Sequence, residues 1–211
     1  MNPVALDKLR AFWNQRYADD EYAYGTEPND FLIGIARRIT PGGAVLCLAD
    51  GEGRNGVWLA RQGFAVTSVD IAERGLEKAL GLAERHGVAL RTQAADLAAH
   101  DLGIAEWDAI VSIFLHLPPK ARCDLHRRCV AALRPGGLMI VEVYGPGQLG
   151  RGTGGPKEPE LLPALEDLEQ EFPGCRILHR FAGLREVREG RHHDGEGEVA
   201  QILARKEDRQ G

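Results

Sequence analysis

The parts of this sequence able to do chemistry are three glycines spaced Gly51-x-Gly53-x-x-Gly56 and four polar residues that each close an apolar run: Asp70, Asp96, His116 and Tyr144. A glycine turn tolerates a left-handed backbone and lets a ligand approach the main chain. Carboxylates at strand ends accept hydrogen bonds from hydroxyl and amino groups, and an imidazole takes a proton or donates to an oxyanion near neutral pH. A further pair of imidazoles, His192 and His193, lies in Arg188-Glu-Gly-Arg-His-His-Asp-Gly195. No metal site is expected there, because neighbours on a strand point to opposite faces.

Bringing such residues together takes a sheet. Short apolar runs predict strands over Ala44–Ala49, Ala65–Val69, Ala89–Gln93, Asp108–Ile113 and Leu138–Tyr144, with helices near Arg54–Gln62, Ala72–His86 and Pro119–Leu133 between them. A helix carrying Leu161, Leu162, Leu165 and Leu168 follows, then a hairpin of strands near Arg176–Val187 and Glu198–Ala204. This is an α/β pattern: a doubly wound, Rossmann-like, mostly parallel seven-stranded sheet with an antiparallel last strand and helices on both faces. Residues 1–211 are expected to form one domain, with a helical cap segment over 1–40 and an α/β core over 41–205. The cap holds helices near Val4–Tyr17 and Phe31–Ile39 and an acidic, aromatic loop between them. Trp13 and Tyr17 either fold over a ligand or pack on the sheet. Residues 145–157, rich in glycine, are expected to be mobile, as a substrate lid or a plain connection.

The net charge of -5 argues against a nucleic-acid duplex or an anionic membrane as partner. No transmembrane run or signal peptide is recognisable, so a cytoplasmic location is expected. Cys47, Cys123, Cys129 and Cys175 lack metal or redox spacing and are expected to be packed, reduced thiols.

The glycine spacing also fits a dinucleotide fingerprint, with Asp70 at the distance of a ribose-binding acid. Asp50 and Glu52 flank the turn, however, and would repel a pyrophosphate. They suit S-adenosylmethionine, which carries an ammonium and a sulfonium.

Several separated motifs then agree: Trp13-Asn-Gln-Arg16-Tyr17, Tyr22-Ala-Tyr-Gly-Thr-Glu-Pro28-Asn29-Asp-Phe31-Leu32, the Gly51 turn, Val69-Asp70, Ala95-Asp96-Leu97, Leu133-Arg-Pro-Gly136-Gly137, and Glu189-Gly190 with His193-Asp-Gly195. In these the chain resembles class I S-adenosylmethionine-dependent methyltransferases, and among them the tellurite-resistance type acting on small molecules. The resemblance implies that Gly51 and Gly53 approach the methionine part of the cofactor, Asp70 binds ribose and Asp96 with Leu97 holds adenine. Arg16, Tyr17, Asp50, Asn55, Ile71 and Ser112 complete the implied cofactor set. His193, which matches the family's hairpin histidine, is the implied catalytic residue, with His116 and Tyr144 beside it. The plainer readings are caps or turn residues for Asp70 and Asp96, and a solvated hairpin tip for the histidines. The chain departs from the family pattern where Cys47 and Ala49 replace an acid and the first glycine.

The expected function is methyl transfer to a small-molecule acceptor, a tellurite- or selenite-like oxyanion or a thiol, by a monomer or homodimer. The alternatives are a non-catalytic S-adenosylmethionine-binding protein and an NAD(P)-dependent oxidoreductase.

Overall fold

The structure is a computed structural model that describes residues 3–207. Helix α1 (Pro3–Arg16) and the short α2 (Asp30–Ile35) precede an alternation of β1 (Ala44–Leu48), α3 (Arg54–Arg61), β2 (Ala65–Asp70), α4 (Glu73–Arg85), β3 (Arg91–Ala94), β4 (Trp107–Ile113), α5 (Pro119–Ala132) and β5 (Leu133–Tyr144). Helix α6 (Leu165–Glu169) leads to the closing hairpin of β6 (Cys175–Arg188) and β7 (Asp194–Lys206). All seven strands join one sheet in the order β3-β2-β1-β4-β5-β7-β6. β1 to β5 pair in parallel, and β7 runs antiparallel to both β5 and β6. The expected doubly wound sheet is what forms.

The strands read as continuous apolar runs because helices cover both faces. One face buries Leu46, Leu48, Ile110, Met139 and Val141 against Leu125 and Cys129 of α5 and Leu168 of α6. The other buries Val45, Cys47, Val111 and Ile140 against Phe31 and Leu32 of α2 and Leu59 of α3. The four cysteines are free thiols, two of them buried. Among the described residues no helix is long and apolar enough to cross a membrane, and none group as metal ligands.

Three element predictions need correction. The leucine-rich helix shrinks to α6 because Pro159 and Pro163 interrupt its first turns, leaving a 3-10 turn over Pro159–Leu161. β5 begins earlier than expected, at Leu133, which pairs with Trp107 before a register shift absorbs the Arg-Pro-Gly-Gly segment. β3 spans Arg91–Ala94, later than the predicted run.

Candidate active site

The order of the strands reverses between β1 and β4, and in such sheets the crevice for a ligand opens there, at the carboxyl ends. Reading along that edge from β3 to the β6–β7 hairpin gives Asp96, Asp70, the Gly51 turn, Ser112, His116, Tyr144 and His193 in that order. The carboxyl edge of the sheet thus carries carboxylates toward β3 and imidazoles toward the β6–β7 hairpin.

At the acidic end, Asp70 is the last residue of β2 and is 5% exposed. Its carboxylate accepts from the N–H of Gly51 and of Ala72, both at 2.8 Å, so it fixes the glycine turn and the approach to α4. Burial raises its pKa, and those backbone donors pull it back down. The N-cap of α4 is Ala72, so Asp70 does not cap that helix with its side chain. Ile71 follows it, half-buried. Asp96 bonds the N–H of Ala98 at 2.9 Å, a turn interaction that occupies one carboxylate oxygen, and Leu97 next to it is partly buried against the core. Gly51 sits at φ +54°, and a Cβ there would meet the Tyr17 hydroxyl at 2.6 Å. Tyr17 therefore lies over the turn, clustered with Ala23, Ala72 and Trp13, and does not pack on the sheet. Burial, with Asp70 nearby, holds its phenol protonated. Arg16 donates to the Tyr24 hydroxyl at 3.3 Å.

Both acids flanking the turn are engaged by partners within the protein. Asp50 accepts from the Ser68 hydroxyl at 2.5 Å and from the Gly56 N–H at 3.3 Å. Its carboxylate is enclosed although the residue is only half-buried, and burial raises its pKa to about 7. Glu52 pairs with Lys78 at 2.5 Å and accepts from the N–H of Ala23 at 2.8 Å, tying the cap segment to the turn. Asn55 is likewise engaged, accepting from the Asn29 N–H at 2.9 Å. Gly53, at φ +84°, is the N-cap of α3.

At the imidazole end, His193 packs edge-on against Tyr24, Phe114 and Tyr144 with centroid separations of 4.7, 4.6 and 5.3 Å. His116 stacks on Tyr144 at 5.9 Å. Burial pushes the His116 pKa down to about 4 and that of His193 to about 2, so both imidazoles are neutral at pH 7. Nδ1 of His116 faces the Leu161 carbonyl at 3.0 Å. Nε2 of His116, Nδ1 of His193 and the Ser112 hydroxyl are buried with no hydrogen-bond partner among the described residues. Tyr144 is fully buried, and burial raises its pKa. The glycine-rich loop folds over this end. Gly155, at φ +83°, lies so close that a Cβ would meet the Tyr144 ring at 2.7 Å.

Two features escaped the sequence. Phe114 has φ +55°, a strained conformation for an aromatic residue, and packs against both Tyr144 and His193. Its only sequence signal is an aromatic two residues before His116. The other is a buried ion network in which Arg54 pairs with Glu189, and Arg185 pairs with both Glu142 and Glu189. The Asn29 amide donates to Glu142 at 2.7 Å and to Glu189 at 2.8 Å. The network fastens the cap segment, α3 and the hairpin to β5.

No curated protein sequence matches the chain. Several solved structures share its fold. One, connected with conversion of a disulfide bond into a thioacetal group during echinomycin biosynthesis, is 17% identical with a TM-score of 0.77, over 96% of this chain and 91% of that one. TehB from Haemophilus influenzae is 20% identical with a TM-score of 0.71, over 94% of this chain and 67% of its own. The Burkholderia thailandensis 1,6-didemethyltoxoflavin-N1-methyltransferase, solved with 1,6-didemethyltoxoflavin and S-adenosylhomocysteine, is 24% identical with a TM-score of 0.67, over 97% of this chain and 89% of that one. Residues 45–137, which run from β1 into β5 and contain the glycine turn, Asp70 and Asp96, match the family described as a methyltransferase domain. That match covers less than half of the chain, and with the neighbour solved with S-adenosylhomocysteine it indicates S-adenosylmethionine as the cofactor.

Proposed function

We propose that the protein transfers a methyl group from S-adenosylmethionine to a small-molecule acceptor bound between the Gly51 turn and the histidine-aromatic cluster. The observation that carries this reading is that the carboxyl edge of one sheet holds both the Asp70-anchored turn and two buried imidazole nitrogens without a hydrogen-bond partner among the described residues. When bound, the cofactor supplies an electrophilic methyl group. The residues present fit it. Asp70 keeps lone pairs beyond those used by Gly51 and Ala72 and accepts from ribose hydroxyls. Asp96 has its second oxygen for the adenine amino group, with Leu97 against the base, and Ile71 lines the same stretch. Arg16 would pair with the cofactor's carboxylate, Tyr17 closes over the turn, and Ser112 offers a buried hydroxyl without a partner among the described residues. Asp50 and Asn55 support the turn from behind.

The protein's task in such a displacement is alignment and exclusion of water. The loop over Tyr144 and the cap segment serve the second purpose, and His116, His193 and Tyr144 surround the acceptor. Thiols and tellurite- or selenite-like oxyanions are the acceptor types that the resemblance suggests. Calorimetric titration with S-adenosylhomocysteine tests the cofactor, and mass detection of methylated product tests the reaction. Absence of binding to the folded protein would refute the proposal.

A further inference from the structure

We propose that the acceptor is an uncharged molecule presenting an N–H, O–H or S–H group to Nε2 of His116, and that the site rejects oxyanions. This rests on the methyltransferase reading above and concerns the acceptor alone.

The first argument is the tautomer of His116. A carbonyl oxygen only accepts, so the contact of 3.0 Å between Nδ1 and Leu161 requires the ring proton on Nδ1. Nε2 is then a bare lone pair, buried and without a partner among the described residues. A lone pair attracts a donor and repels an anionic oxygen.

The second argument is charge. The cations around the cluster are each paired with a carboxylate, Arg54 with Glu189, Arg185 with Glu142 and Glu189, and Arg122 with Glu171, while Nε of Arg185 and Nη1 of Arg122 have no hydrogen-bond partner among the described residues. Arg16 donates to Tyr24, and His192, partly exposed, has its pKa lowered by burial and by Arg16 and Arg191. Both clustered histidines are neutral. The rest of the wall is the rings of Phe114, Tyr144 and Tyr24 and the backbone of Gly154 and Gly155. An anion entering such a wall loses its hydration, and the guanidinium charges nearest to it are already offset by Glu142 and Glu189. A neutral acceptor with an apolar body loses little and gains one hydrogen bond.

In the reaction, a lone pair on the acceptor atom forms the bond to the methyl carbon, and the carbon–sulfur bond breaks with its electrons left on sulfur. The acceptor's proton goes to Nε2 of His116, leaving its bonding pair on the acceptor atom, and solvent later takes that proton from the imidazolium. The products are methylated acceptor, S-adenosylhomocysteine and H⁺.

The test uses the full-length protein with 2-naphthol, benzimidazole and benzyl mercaptan as neutral probes, and selenite and tellurite as anions. Binding is measured on the protein saturated with S-adenosylhomocysteine, and turnover with S-adenosylmethionine. At least one neutral probe is expected to bind and be methylated, with kcat/KM at least tenfold above either anion. His116→Ala should weaken binding of that probe tenfold or more, with S-adenosylhomocysteine affinity unchanged. His116→Gln, which keeps an acceptor atom, should recover binding but not turnover. Methylation of selenite or tellurite in preference to every neutral probe would overturn the proposal and leave the methyltransferase reading standing. Failure of S-adenosylhomocysteine to bind at all would remove that reading itself.

Discussion

Nδ1 of His116, at the end of β4, lies 3.0 Å from the main-chain carbonyl of Leu161, in the turn before α6. That contact orients the ring and leaves Nε2 buried without a partner among the described residues. Sequence resemblance favours His193 as the proton acceptor, whereas the fixed tautomer favours His116. His116→Ala should lower kcat for the best acceptor about 10²-fold with cofactor affinity unchanged. Steady-state kinetics on His116→Ala and His193→Ala decide between them, and the larger kcat loss in His193→Ala would reassign the role.

Asp70→Ala should weaken S-adenosylmethionine binding by about 1.5–3 kcal/mol, because charge-assisted bonds to ribose disappear. The same change strands the N–H groups of Gly51 and Ala72, so Tm should fall too. Calorimetry and melting curves separate the two effects. Lost stability with unchanged affinity would leave Asp70 a turn anchor only.

Asp50 and the two histidines oppose one another in their effect on stability with pH. Asp50 holds its proton to about pH 7 in the folded chain, against an ordinary value of 3.8. The unfolded chain releases that proton earlier, so its contribution to stability declines as pH rises from about 3.8 to 7. His116 has a folded value of about 4 against 6.5, and its contribution declines as pH falls through that window. Asp50→Asn removes the first effect. Relative to the parent protein, the variant should gain stability from pH 4 to pH 8, by on the order of a few kcal/mol. Urea denaturation at both pH values tests this, and a difference that does not change with pH would contradict it.

Ala49 replaces the family's first glycine yet keeps a left-handed backbone, with φ +49°. An alanine held there costs roughly 1 kcal/mol relative to glycine. Ala49→Gly should therefore stabilise the protein by about that amount, less the entropy a glycine loses on folding. Thermal melting is the measurement, and a lower Tm would show that the alanine methyl is needed in its surroundings.

The sheet was readable in advance because consecutive apolar residues bounded by glycine and proline leave few alternatives to buried parallel strands. The residues of the edge were readable for the same reason, since strand ends follow from strand lengths. What the side chains do there was less accessible. Glu52 and Asp50 look alike beside the turn in sequence, and only the packing of Lys78, Ala23 and Ser68 shows that both are occupied. Leu161 contributes a backbone carbonyl, which residue type does not encode. The strain at Phe114 and the loop's descent onto Tyr144 depend on contacts between distant segments.

The buried network of Arg54, Glu142, Arg185 and Glu189 bears on how the chain can be cut. The matched stretch, residues 45–137, ends before Glu142 and starts after Asn29. A fragment trimmed to it would keep Arg54 without Glu189, Asn55 without the Asn29 N–H, and Glu52 without Ala23. A buried charge stripped of its partner is strongly destabilising. Such a fragment is thus expected to be a loose, aggregation-prone species, so the region that is recognisable by sequence is smaller than the region that can fold.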